Sequence, residues 1–185
     1  FIVGFALQSG KYSPQSTIDT APGFVRVGNF TIRDPLNRGE ITLGEVIMYS
    51  SQVGISKLAL NLNEYEIRGM FEKLGFGRDT GTGFPGESAG RLPNHRRWTD
   101  IERAALAYGY GLTVTPMQLA ASYLTIASGG IKKDVSLIAA AERNDQRIYS
   151  GEVAGQLKHI LASVVTDGTA KKAAIQGYAV AGKTG

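Results

Sequence analysis

The chain contains no cysteine, so disulfides, a thiol nucleophile and cysteine-held metals are excluded. It has only two histidines, His95 and His159, too few for a multi-imidazole metal centre. Neither sits beside residues that suggest a Ser-His-Asp arrangement. No apolar run approaches the ~18 residues that a membrane span requires. The first residue is Phe, and no secretory leader follows it. Runs of like charge are missing too: basic residues adjoin only at Arg96-Arg97, Lys132-Lys133 and Lys171-Lys172. Such scatter reads as solvated surface, and no nucleic-acid partner is expected. The net charge of +4 is compatible with an acidic polymer or an anionic ligand. The glycine-rich stretch from Phe76 to Arg91 lacks a Gly-Lys-Ser/Thr ending and no strand precedes it, which excludes a phosphate-binding loop.

What is present is a globular balance. Hydrophobic residues make up 43% and charged residues 19% of 185 residues, enough for one domain with a core. Phe1 to Gln8 is apolar on nearly every side and predicts a buried helix, with Gly10 as its stop. Phe24 to Ile32 alternates around Gly28-Asn29, a hairpin signal, and Asp34-Pro35 opens a turn. Thr42-Leu-Gly-Glu45 fits a capping box, and Leu43, Val46 and Ile47 give its helix an apolar face. The periodicity breaks at Tyr49-Ser50-Ser51-Gln52-Val53-Gly54. Two hydroxyls and an amide there either close a turn locally or face a cleft.

Asn63 to Glu66 repeats the box logic, and Ile67, Met70, Phe71 and Leu74 form a core stripe ended by Gly75. A long loop around Gly83-Phe-Pro-Gly-Glu87 follows. Thr99 to Glu102 starts a helix to about Tyr108, and Thr115-Pro116-Met117-Gln118 starts another. Leu119, Ala120, Tyr123, Leu124 and Ala127 are expected to pack that helix into the centre. Arg91, Arg96, Arg97 and Trp98 read as a basic, aromatic surface patch. Ile131 to Ile148 predicts a hairpin about Asn144-Asp145. Val153, Leu157, Ile160, Leu161 and Val164 mark a helix ending near Gly168, after which Thr169 can cap one more turn. The order is helix-rich in the middle with strands near both ends, an α+β or α/β domain whose sheet is assembled from distant segments.

The last eight residues, Tyr178 to Gly185, read as a short strand ending in Lys183-Thr184-Gly185. A strand edge of this composition can hold a carboxylate. Lys183 supplies charge, Thr184 a donor, and Gly185 lets a ligand backbone lie close. Taken alone, the triplet favours an ordinary strand running into a turn.

With Tyr49-Ser-Ser-Gln52 and Ala181-Gly-Lys-Thr-Gly185 in one chain, the sequence resembles the transpeptidase domain of class B penicillin-binding proteins, especially the septal enzymes of Gram-negative bacteria. That family carries Ser-x-x-Lys, then Ser-x-Asn, then Lys-Thr-Gly, in this order. Val27-Gly-Asn-Phe-Thr-Ile-Arg-Asp34, Gly83-Phe-Pro-Gly-Glu87, Tyr108-Gly-Tyr-Gly111 with Thr115-Pro-Met-Gln118, and Val165-Thr-Asp-Gly-Thr-Ala170 add to the likeness. It extends over the whole of residues 1–185. The fold it implies is β-lactamase/transpeptidase-like, an antiparallel sheet flanked by helices, here read as truncated at both ends. Phe1 to Lys11 resembles the remainder of the nucleophile helix, so the Ser-x-x-Lys motif is expected just upstream. The middle motif departs from the pattern: Gln52 stands where the family has Asn. The change moves the amide one methylene outward, and an error of roughly 1 Å can cost ~10²-fold in a site built for positioning.

The resemblance implies a penicillin-sensitive peptidoglycan D,D-transpeptidase acting on D-alanyl-D-alanine stem peptides through a serine acyl-enzyme. Ser50 is expected beside the nucleophile, relaying protons to the leaving amine. Gln52 takes the place of the orienting amide. Lys183 and Thr184 bind the substrate carboxylate, and Gly185 keeps the strand edge open. No metal or organic cofactor is implied. Partners would be stem peptides, β-lactam antibiotics and division proteins, on the periplasmic face of the inner membrane and tethered by an N-terminal anchor outside this chain. A serine β-lactamase, a β-lactam sensor of the same fold and a non-catalytic division scaffold remain alternatives.

Overall fold

The computed structural model describes residues 1–138 and 144–185. Helix α1 (Ile2–Gln8) is buried from Ile2 to Leu7 and packs against α3 (Gln52–Asn61), α4 (Glu64–Leu74) and α7 (Gly151–Thr166). Its closeness to α7 depends on Gly4. A Cβ there would lie 2.9 Å from Leu157 Cδ1 and 3.0 Å from the Tyr149 ring. Around this axis, Val3, Leu43, Val46, Leu58, Ile67, Leu74, Tyr149 and Ile160 belong to one core cluster. Burial of such side chains stabilises by about 1.5–3 kcal/mol each. No helix among the described residues is long and apolar enough to cross a membrane.

The mixed helix-and-strand class agrees with expectation. Among the described residues the strands form three antiparallel pairs, not one sheet. They are β1 (Thr17–Asp19) with β4 (Glu40–Thr42), β2 (Phe24–Val27) with β3 (Phe30–Arg33), and β5 (Ile131–Lys132) with β6 (Gln146–Arg147). The Gly28-Asn29 hairpin lies as predicted, with Val27 opposite Phe30. The second hairpin differs. Lys132 pairs with Gln146, so Asn144 and Asp145 lead directly into β6 and do not form a two-residue turn. Residues 139–143 of that connection lie outside the described residues.

The capping residues start the helices where their chemistry requires. Thr42 opens α2 (Leu43–Met48), Thr99 opens α5 (Asp100–Ala107) and Thr115 opens α6 (Pro116–Ala127), each with a reciprocal box. Asn63 caps α4 through Tyr65 N–H and Glu66 N–H.

Three expectations are corrected. The buried side of α6 is Gln118, Ala121, Ser122, Thr125 and Ile126, while Leu119, Ala120, Leu124 and Ala127 face outward. Burial there is set by hydrogen bonding: Gln118 Nε2 donates to the Arg78 and Ala89 carbonyls at 2.5 and 2.8 Å. Trp98 is no surface residue. It is buried in the core, donates from Nε1 to the Pro93 carbonyl at 3.2 Å, and carries the Arg68 guanidinium over its ring. Finally, residues 178–185 form no strand. A strand needs a ladder partner, and the described residues offer none beside this stretch. Its long-range backbone bond runs from Gly182 N–H to the Leu161 carbonyl on α7, at 3.1 Å. Val180 packs on Val164, Val165 and Ala170, while Tyr178 stays exposed.

Candidate active site

Helix α2 ends in a reverse turn that sets Ser50. Ser51 N–H donates to the Val46 carbonyl at 2.9 Å and Ser50 N–H to the Ile47 carbonyl at 3.1 Å. This is the pairing of a Schellman motif, in which the left-handed position usually belongs to glycine. Here that position is Ser50, with φ +57°, the one non-glycine residue among those described with positive φ. Ser51 then caps α3: its hydroxyl accepts from Gly54 N–H at 2.8 Å and donates to Asp34. The other Asp34 oxygen accepts from Val53 N–H at 3.1 Å. The carboxylate from the turn after β3 thus fixes the start of α3 and, with it, Ser50.

Opposite stands the end of α7. Gly168 passes so close to α2 that a Cβ would sit 2.6 Å from the Met48 carbonyl oxygen. That approach brings Thr169 beside Ser50, their hydroxyl oxygens 3.5 Å apart. The terminal segment then crosses the gap. Lys183 Nζ donates to Ser50 Oγ at 2.6 Å, to the Thr184 carbonyl at 2.8 Å and to Thr184 Oγ1 at 3.2 Å. Thr169 Oγ1 and Thr184 Oγ1 lie 2.8 Å apart.

Of the residues expected from sequence, Ser50, Lys183 and Thr184 therefore meet. Gly185 follows them, exposed. Gln52 does not join. It lies exposed on the first turn of α3, and among the described residues its side chain bonds to no member of the cluster. Thr169 and Asp34 are the residues that sequence reasoning missed. Thr169 had one available signal, its place in Val165-Thr-Asp-Gly-Thr-Ala170, and Asp34 another, its place at the end of Val27-Gly-Asn-Phe-Thr-Ile-Arg-Asp34.

The electrostatics of the cluster suit an anion. Lys183 is half-buried, and desolvation lowers its pKa below the usual lysine value. No carboxylate among the described residues forms a salt bridge with it. A partly desolvated cation ringed by hydroxyls gains most from an acceptor-only, negatively charged ligand. A separate cavity of about 370 Å³, lined by Arg91, Pro93, His95, Glu102 and Leu106 among others, shares none of these residues.

The penicillin binding protein transpeptidase domain family matches residues 1–185. This chain belongs to that family. The sequence is 38% identical over 186 residues to peptidoglycan D,D-transpeptidase FtsI of Escherichia coli K12, covering 100% of this chain and 31% of that protein. It thus spans about a third of the length of the curated relatives it matches. The transpeptidase domain of Burkholderia pseudomallei penicillin-binding protein 3 superposes with a TM-score of 0.93 at 35% identity, covering 99% of this chain and 56% of that one. Penicillin-binding protein 3 of Mycobacterium tuberculosis complexed with ampicillin gives a TM-score of 0.88 at 29% identity, covering 98% and 44%.

Proposed function

We propose that the protein containing this chain is a peptidoglycan D,D-transpeptidase, cross-linking stem peptides at the division septum through a serine acyl-enzyme. The observation that carries the reading is the Lys183–Ser50–Thr184 cluster, a half-buried cation without a carboxylate partner among the described residues, set among hydroxyls. The nucleophilic serine and its lysine base lie upstream of Phe1 in this proposal, one helical turn apart at the start of the helix that α1 continues.

In the proposed reaction the serine oxygen attacks the D-alanyl-D-alanine carbonyl and its proton passes to the lysine. The peptide C–N bond breaks as the leaving amine takes a proton, and an amine of a second stem peptide resolves the ester. Lys183 and Thr184 hold the terminal carboxylate of the donor peptide. Ser50 is suited to the relay, because Lys183 fills one of its acceptor positions and leaves its own proton free for the departing amine. Gln52 stands in the place of an orienting amide, and Gly185 keeps the ligand's path open. The kinship with a peptidoglycan D,D-transpeptidase supports the reaction class, and the septal role, division partners and a membrane-tethered, periplasmic setting belong to the same proposal. The ampicillin complex of the Mycobacterium tuberculosis relative supports β-lactams as inhibitors, their carboxylate taking the substrate's place.

The deciding experiment labels the full-length protein with a fluorescent penicillin and follows nitrocefin hydrolysis in parallel. A stable, stoichiometric adduct with slow nitrocefin turnover is expected. Rapid turnover would make the protein a β-lactamase, and no labelling would make it a non-catalytic relative.

A further inference from the structure

Thr169 lies outside every motif that carries the proposed chemistry, yet its hydroxyl stands inside the cluster. It follows Gly168 at the end of α7, is exposed, and makes no hydrogen bond to that helix among the described residues. Its partners are Thr184 Oγ1 at 2.8 Å and Ser50 Oγ at 3.5 Å.

Counting protons decides what this hydroxyl does. A hydroxyl offers one donor and two acceptor positions, whereas a carboxylate only accepts. Lys183 Nζ donates to one acceptor position of Thr184 Oγ1, at 3.2 Å. If Thr169 donates to the second, both are filled, and the single proton of Thr184 has nowhere to go but outward. The reverse arrangement, with Thr184 donating to Thr169, would send the Thr169 proton toward Ser50 Oγ over 3.5 Å. That oxygen keeps a second acceptor position beside the one Lys183 fills at 2.6 Å, so without a ligand both arrangements are open. An acceptor-only ligand arriving at Thr184 selects the first arrangement.

We propose that Thr169 is a positioning residue that makes the Thr184 hydroxyl an obligate donor, and so sets the preference of this site for a carboxylate over a neutral ester or amide. The inference rests on the transpeptidase reading and adds to it the residue that enforces ligand charge class.

The test uses the full-length protein with benzylpenicillin and its methyl ester. The readout is the ratio of their second-order acylation rate constants. Each ratio comes from one preparation and counts only folded, reactive protein. Replacing the hydroxyl in T169V should lower the carboxylate-over-ester ratio about threefold to tenfold, the range expected for one hydrogen bond. T169A, which adds no bulk at this exposed position, should do the same, and T169S should restore the ratio to within about twofold. An unchanged ratio in T169V or T169A, or a ratio in T169S as low as theirs, overturns the proposal. If the wild-type protein is acylated by neither compound, the transpeptidase reading itself fails and the role of Thr169 falls with it.

Discussion

Asp34 grips Ser51 from across the fold, one carboxylate oxygen accepting its hydroxyl while the other accepts the N–H of Val53. The pair sits one residue from Ser50, so the anchor of a helix start is also the anchor of the candidate relay group. Hydrogen bonds to a charged group contribute about 1.5–3 kcal/mol each. Asp34→Ala should therefore destabilise the full-length protein by about 2 kcal/mol in denaturant unfolding, and should slow penicillin labelling by more than that loss of folded protein explains. Labelling at the wild-type rate would show that Ser50 is held by other means.

Ser50 carries a conformational cost that glycine would not. A left-handed residue with a Cβ costs roughly 1–2 kcal/mol, and the geometry persists because the Schellman bonds and the Asp34 anchor over-determine it. Ser50→Gly should thus raise thermal stability by about 1 kcal/mol while lowering the acylation rate at least about tenfold, since the acceptor for Lys183 is lost. A variant that is both less stable and fully active would refute the assignment on both counts.

The lowered pKa of Lys183 gives two pH effects of opposite sign. Below its folded pKa the side chain is a cation and attracts the ligand carboxylate, so affinity should fall as pH rises through that value, earlier than for an exposed lysine. Stability moves the other way. The unfolded chain holds this proton more tightly than the folded one, so the penalty for burying the cation is relieved as pH rises between the folded and unfolded values. Titrating ampicillin affinity and unfolding together, with Lys183→Met as reference, should show both trends in the wild type and neither in the variant. Parallel trends would be incompatible with burial as the cause.

Gln52 separates structural from functional roles cleanly. It is exposed and bonds to no member of the cluster among the described residues, so Gln52→Ala should change stability by less than about 0.5 kcal/mol. If its amide reaches the ligand during the reaction, the same variant should lose about tenfold or more in acylation rate, and Gln52→Asn should equal or exceed the wild type. Identical rates in all three proteins would remove Gln52 from the site.

Local chemistry was legible in the sequence, and distant partnerships were not. The boxes at Thr42, Thr99 and Thr115 and the turn at Gly28-Asn29 depend on residues within one turn of each other. Helix α3 left no stripe to read, because Val53, Gly54, Ile55, Ser56, Leu58 and Ala59 bury it on most sides. Helix α6 misled because three of its inward residues, Gln118, Ser122 and Thr125, are polar and satisfied. Ser122 and Thr125 donate to the Leu119 and Ala121 carbonyls, and Gln118 ties down the loop after α4. Ser50, Lys183 and Thr184 were visible through the spacing and order of motifs. Asp34 and Thr169 stood in family-like stretches, but their roles come from partners 17 and 15 residues away that no local spacing specifies.

The contact between Ser50 and Lys183 closes over 133 residues of chain. Contacts of such long range must repay a large loop-closure entropy, and they form only once the intervening elements have docked. The hairpin and the capped helices can form early from neighbouring residues, whereas the cluster has no local nucleus. Refolding should accordingly recover its secondary structure before its capacity to bind penicillin. Antibiotic binding would then report the completion of folding, and gentle denaturants should abolish it while most of the helices still stand.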